Sequence, residues 1–335
     1  MLSSLAKLSV EKKDSAVAVI IGALLTFVIV ASLMTAYVLW YVPSNGQQQD
    51  LQYISETENS FLQLQDQINN ATPYPNDFVG QSFTLGVPGT PPFSSSTDSF
   101  LSYTNGSGFI ITMSYNMTVT VSYDKVVRTI PFNYTFNSSG EFYLDTETPF
   151  VIPTNFYYQS DTIILQQPAS NYSEIVGSLP ISFGGNATNL SYLNASQFSV
   201  EGTNSSTGGY GVTLMTMQYS NINQSSFFLG ENVTVSNLTG GYTSAIVDNI
   251  TLNSFNFSIV SPQAFAWNYA LASLYNSTAS QHKWENKPFT WQPFAIDSIN
   301  ITANPKGDLL NVGTTHILYP FSVNFGYFAL RLLQL

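Results

Sequence analysis

The sequence has no cysteine, two histidines and only 9% charged residues. Without cysteine there are no disulfide staples, no thiolate nucleophile and no zinc–thiolate site. His282 sits in a polar Ser280-Gln281-His282-Lys283 stretch and His316 at an expected strand start, so both read as surface residues. No helical H-E-x-x-H and no G-x-S-x-G accompanies them. Neither a metal centre nor a cofactor site is expected, and the chain reads as a non-enzyme. Basic residues are scarce as well: after Lys13 the next lysine or arginine is Lys125. Setting Lys7, Lys12, Lys13, Glu11 and Asp14 aside leaves six basic and eighteen acidic residues, net −12, for the rest of the chain. That sign repels nucleic acid, which is excluded as a partner.

What the sequence does have is one long apolar run, Ala16 to Val42, AVAVIIGALLTFVIVASLMTAYVLWYV, without a single charge. As a helix it reaches ~40 Å, enough to cross a hydrocarbon core of ~30 Å with tilt. Residues 16–42 are therefore the expected contact with membrane lipid. The lysines before it and their absence after it place the N-terminus in the cytoplasm and the bulk of the chain outside, as a single-pass protein. The run is too long for the h-region of a cleaved signal, and no A-x-A-like site follows Trp40.

Asp14-Ser15-Ala16-Val17, an acidic and a small residue just ahead of the apolar run, resembles the processing motif of archaeal prepilins. The run itself resembles the N-terminal helix of archaeal type IV pilins, with Gly22 at the common early-glycine position and Ser15 where glycine or alanine is usual. Further on, YVP, FLQLQDQI, FTLGVPGTPPFSSS and GEFYLDTETPFVIPTNFYYQSDTIILQQ are similar to archaeal pilin-like membrane proteins of unassigned function. The resemblance implies a leader over residues 1–15, cut ahead of a helix that stays attached. It also implies β-rich extracellular domains, and like subunits or other pilin-like proteins as partners.

After the anchor, Pro43-Ser44-Asn45-Gly46 predicts a break, followed by a stalk helix within 43–72 whose stripe is Leu51, Ile54, Phe61, Leu62 and Ile68. From Phe78 the period becomes two. Met113, Tyr115, Met117, Val119, Val121 and Tyr123 alternate with polar residues, and Ile130, Phe132, Tyr134 and Phe136 return across Asp124-Lys125, which predicts a hairpin. Between Asn253 and Ser254 the apolar phase flips, marking a bulge. Ser261-Pro262 predicts the start of a helix that is buried or sits across a sheet end, and the closing apolar segment a strand covered on both faces. The fold class expected is mainly β: an N-terminal transmembrane helix and stalk helix, then two antiparallel β-sandwich-like domains over 78–168 and 207–335 with a linker over 169–206.

Seventeen N-x-S/T triplets follow the anchor and none precedes it, against roughly six expected by chance. Glycosylation candidates are Asn116, Asn133, Asn137, Asn171, Asn186, Asn232, Asn249 and Asn300, the first three on polar strand faces. Trp284, Trp291 and Phe294 lie in HKWENKPFTWQPF, the expected partner surface for surface glycans if one exists. Asp145 and Glu147 share a strand face and are the one carboxylate pair to weigh for a cation or a glycoside, although no calcium-loop pattern surrounds them. The sequence thus predicts an anchored, glycosylated, structural or adhesive surface protein of the type IV pilin-like class. The alternative is a monomeric single-pass receptor or carbohydrate-binding module.

Overall fold

A computed structural model describes residues 2–70, 78–91, 94–105, 110–123, 125–170, 172–185, 190–227, 232–236, 242–282, 289–294, 298–303 and 321–334. The chain begins as one rod: helix α1 (Leu2–Ala36), a π-helical turn (Tyr37–Tyr41) and helix α2 (Val42–Asn70). One expectation is corrected here, the break at Pro43. Residues 2–15 continue the same helix, because no glycine or proline interrupts Leu2 to Ile21 and extending a helix costs little once it exists. The chain does not break at Pro43. In a regular α-helix the Pro43 ring would press on the carbonyl four residues back, at a cost of ~3 kcal/mol. The π turn, in which the Val42 N–H donates to the Tyr37 carbonyl, shifts the hydrogen-bond ladder just ahead of the proline. From Ala18 to Asn70 the helix runs unbroken, and its most apolar stretch has a mean hydropathy of 2.5 and no buried residue. It is long and apolar enough to span a membrane.

The C-terminal half of the rod behaves differently. Val42, Gly46, Asp50, Tyr53, Thr57, Phe61, Leu64, Gln65 and Ile68 recur at threes and fours and are all buried. The expected stripe was partly misplaced: Phe61 and Ile68 belong to it, but Leu51 is 59% exposed and Ile54 and Leu62 are only half-buried. α2 is thus the spine of a core rather than a free stalk.

The strands follow in order: β1 (Phe78–Leu85), β2 (Ser99–Thr104), β3 (Ile110–Tyr123), β4 (Val126–Ser139), β5 (Glu141–Thr146) and β6 (Asn155–Gln159). Next come β7 (Thr162–Gln167), β8 (Tyr172–Val176), β9 (Ile181–Gly185), β10 (Leu190–Glu201), β11 (Ser205–Gly209) and β12 (Gly211–Phe227). β13 (Asn232–Ser236), β14 (Tyr242–Val260), helix α3 (Ala264–His282), β15 (Phe289–Phe294), β16 (Ser298–Ala303) and β17 (Phe321–Gln334) complete the chain. The fold is mainly β, as expected. They form three sheets, ordered β1-β12-β17-β10-β9, β11-β2-β5-β6-β7-β8, and β15-β16-β14-β3-β4 with β13 beside β14. Pairing is antiparallel except between β10 and β17.

Each sheet draws strands from both sides of the stretch expected as a linker, and that stretch itself carries β8, β9 and β10 and the start of β11. Its alternation is hidden because β10 is buried on both faces. Phe198 and Val200 enter one core, while Gln197 and Ser199 face the other way and bond to the Ile111 carbonyl, Ser138 and Ser139.

Two cores result. One surrounds α2: the Phe61 ring lies 5.0 Å from Phe83, 5.7 Å from Phe156 and 6.0 Å from Phe142, with Leu101, Val200 and Met217 around them. The other lies under the inner face of β3, β4 and β14 and is closed by Ile164, Ile181, Phe183 and Ala195 of β7, β9 and β10 and by helix α3, whose Trp267 is fully buried. β7 serves both, since Ile163 faces the first and its neighbour Ile164 the second. The predicted β3–β4 hairpin is present, with Tyr123 opposite Val126 and Lys125 left-handed at φ 65°. The predicted bulge is present too, as the β14 register shifts between Leu252 and Ser254. Ser261 Oγ accepts the Gln263 N–H at 3.0 Å where α3 begins. The closing strand β17 is central, with β12 on one edge and β10 on the other.

Candidate functional site

Three places gather polar or exposed groups: the outer face of the β3–β4 hairpin, the junction between helix and domain, and a buried carboxylate that ties α2 to two sheets.

On the hairpin, the register sets Asn116 directly opposite Asn133 and Thr112 opposite Asn137. Period two puts these asparagines on the face opposite the buried Met113, Tyr115 and Met117, and Asn133 and Asn137 are exposed while Asn116 is half-buried. Thr120 and Thr129 hydroxyls approach at 3.4 Å on the same face. β4 is the edge strand, and Pro131 in its middle removes one ladder donor, a device against edge-to-edge pairing. Behind the tip lies an open cavity of about 700 Å³ lined by Val119, Val121, Ile130, Phe132, Val233 and Arg128. The Arg128 guanidinium carbon sits 5.8 Å from the centroid of the Tyr123 ring.

The other glycosylation candidates differ in exposure. Asn232 is exposed at the start of β13. Asn249 is half-buried, donating from Nδ2 to Thr251 Oγ1 at 3.4 Å. Asn300 stands in β16 opposite Ser258. Asn171 and Asn186 lie outside the described residues. Of the expected partner surface, Trp291 and Phe294 belong to strand β15, opposite Ile301 and Ser298, and Trp284 is outside the described residues. Among the exposed aromatics that sequence reasoning missed are Phe265 and Tyr269 on α3, 67% and 71% exposed, and Tyr172 on β8, whose hydroxyl donates to Glu174. The two on α3 were hidden because that helix reads as apolar nearly all round.

Asp14 to Val17 form part of α1. Asp145 is half-buried in β5, and Glu147 is exposed just past its end. His282 ends α3, and His316 is outside the described residues. Among the described residues no three His, Asp or Glu side chains gather in a group that could hold a metal ion.

At the junction, α2 grips two loops. The Phe150 N–H donates to Asp50 Oδ2 at 2.7 Å, and the Phe150 ring lies against Gly46, where a Cβ would stand 2.2 Å from ring carbon Cδ2. Burial pushes the Asp50 carboxyl up, and the Phe150 and Val151 N–H groups partly offset it. Asn45 Nδ2 donates to Thr90 Oγ1 at 3.1 Å, and the Tyr37 hydroxyl donates to the Pro91 carbonyl at 3.4 Å.

The third place is the two-residue turn Ser160-Asp161 between β6 and β7, with both residues left-handed at φ 46° and 66° as such hairpins require. Asp161 is buried. Its Oδ1 accepts from Asn69 of α2 at 3.1 Å and its Oδ2 from Ser196 of β10 at 3.1 Å, while Gln65 of α2 donates to its backbone carbonyl. Burial, opposed by those two hydrogen bonds and helped by the nearby Asp66 charge, raises its pKa from 3.8 to about 7. Between about pH 4 and pH 7 the folded state therefore keeps a proton that the unfolded chain has released. The stability this confers is full below about pH 4 and is lost as pH rises through 7. Asp161→Asn keeps a neutral acceptor and removes the titration. Its unfolding free energy from urea melts should show no pH dependence from this site between pH 4 and 8, and should exceed the parent's at pH 8 by up to about 4 kcal/mol. A parent and variant with the same pH dependence would contradict this.

No protein-family model matches the chain, and neither a curated protein nor a solved structure matches it.

Proposed function

We propose that the chain is a membrane-anchored, glycosylated archaeal cell-surface protein of the type IV pilin-like class, structural or adhesive in role, acting as a filament or filament-associated subunit. The observation that carries this reading is the single helix of 53 residues, apolar and unburied at one end and the spine of a β-rich domain at the other. One face of α2 is occupied by its own domain, which leaves the bare apolar segment within 16–42 for lipid and for like subunits. The two cores are read as two sandwich-like units, the N-terminus as cytoplasmic and the domain as extracellular. No residue is assigned a catalytic role and no cofactor is required. Mass spectrometry of the mature N-terminus tests the class: a start at Ala16 supports processing between Ser15 and Ala16, and a chain beginning at Met1 removes it.

The glycan claim is tested separately. Asn133 and Asn137 are exposed and share one polar sheet face with Asn116. Glycoproteomics of native protein should find sugar on these asparagines, and Asn249, held by Thr251, should be the least occupied of the described candidates. The three unmodified, with other triplets occupied, would defeat the claim.

A second reading, a monomeric single-pass receptor or carbohydrate-binding module, is favoured by one observation: the buried stripe of α2 is satisfied within the chain, so no external helix partner is needed. Detergent-solubilised protein that stays monomeric, with no filaments on native cells, would select it.

A further inference from the structure

We infer that the domain does not stand off from the bilayer but is seated on it, with the loop 86–91 resting in the lipid headgroup layer beside the aromatic turn Tyr37–Tyr41. This rests on the reading that the apolar helix spans the membrane, and goes beyond it by naming the surface of the domain that meets lipid. The π turn marks the end of the apolar stretch. Trp40 is 80% exposed and Tyr41 47%, and the Tyr37 and Tyr41 rings stack at 4.8 Å, the kind of amphipathic aromatic group that sits at a membrane interface. The loop comes down to that level, because the Pro91 carbonyl accepts from the Tyr37 hydroxyl. One layer further out, Asn45 holds Thr90 of the same loop. Along the helix axis Tyr37 and Asn45 are separated by ~12 Å, so the loop spans the depth of a headgroup layer rather than standing above it.

Its composition suits that place. The domain as a whole is acidic, yet no charged residue occurs from Phe78 to Thr97. An uncharged loop meets no repulsion from anionic headgroups, whereas the rest of a net −12 chain would. The loop is also stiff. Gly86 is left-handed at φ 74°, a Cβ on Gly89 would stand 2.2 Å from the Ser94 carbonyl oxygen, and Ser94 and Thr97 N–H groups close the loop on Thr90 and Val87. Pro88 and Pro91 stay exposed at its tip. A rigid, proline-tipped, charge-free loop bonded to an interfacial tyrosine fixes the tilt of the whole domain on the membrane.

The absence of cysteine makes the test clean. Full-length protein carrying a single nitrobenzoxadiazole label at Pro88→Cys, Ser95→Cys, Thr135→Cys or Leu25→Cys is reconstituted into phosphatidylcholine vesicles. Lipids bearing a spin label at the headgroup or deep in the acyl chain then quench it. The expected result is deep quenching at Leu25, headgroup quenching at Pro88, and none at Thr135 on exposed β4. Ser95, next to the Ser94 that closes this loop on Thr90, reports if Pro88→Cys perturbs the turn, and is expected to follow Pro88. Quenching at Leu25 with both loop labels as unquenched as Thr135 overturns the seating while the membrane span stands. No quenching at Leu25 overturns both.

Discussion

Deleting Tyr327 to Leu335 is expected to unfold the domain rather than trim an end. β17 is the third of five strands in its sheet, antiparallel to β12 from Thr213–Gln334 to Phe227–Phe321 and parallel to β10 from Leu193–Phe321 to Glu201–Ala329. The deletion strips the partner from Thr213 to Asn221 of β12 and from Ser199 to Glu201 of β10. Thr213, Met215, Met217, Ser199 and Val200 are buried, so their freed backbone groups cannot turn to water. Each orphaned buried group costs about 1–3 kcal/mol, and a few of them match the ~5–15 kcal/mol that holds a domain together. Circular dichroism on heating should show no cooperative transition in the truncated protein. A truncated protein that keeps its cooperative melt but loses self-association would instead point to strand exchange between subunits.

The second large effect is expected at Phe61. Its ring is fully buried among Phe83, Phe142 and Phe156, which come from two different sheets. Phe61→Ala removes a side chain that packs against both at once, and should cost about 3–5 kcal/mol in a urea melt. Leu51→Ala, on the same helix but 59% exposed, should change stability by less than about 0.5 kcal/mol. Equal losses from the two would mean that the helix packs by the stripe its apolar residues suggest and not by the face the structure buries.

That contrast locates what was legible in the sequence. The Met113 to Tyr123 alternation survives translation into structure because β3 has one buried and one polar face. The Asn253 bulge was legible because a phase flip leaves a trace in the sequence itself. The buried face of α2 was not, since Gly46, Asp50, Thr57 and Gln65 look solvent-facing, and what covers them arrives from distant loops, as Phe150 does for Gly46 and Asp50 and Ser178 for Gln65. The same reason concealed β10, where Gln197 fills a core position by donating to the Ile111 carbonyl at 2.7 Å. Pro43 misled differently: a proline reads as a stop, and the π turn that accommodates it has no pattern of its own. Of the candidate site, the asparagines of the hairpin face were legible from period two. The helix-to-loop junction was not, because it depends on hydrogen bonds between Tyr37, Asn45 and a loop far along the chain.

The central claim, that one helix anchors an external domain in the membrane, is tested most directly by topology. With Thr135→Cys as the only thiol, on the exposed face of β4, intact cells are treated with a membrane-impermeant maleimide and their membranes then extracted with alkaline carbonate. Labelling without lysis is expected, with the labelled protein staying in the membrane pellet. Labelling only after the cells are broken, or release of the protein into the carbonate supernatant, would contradict it.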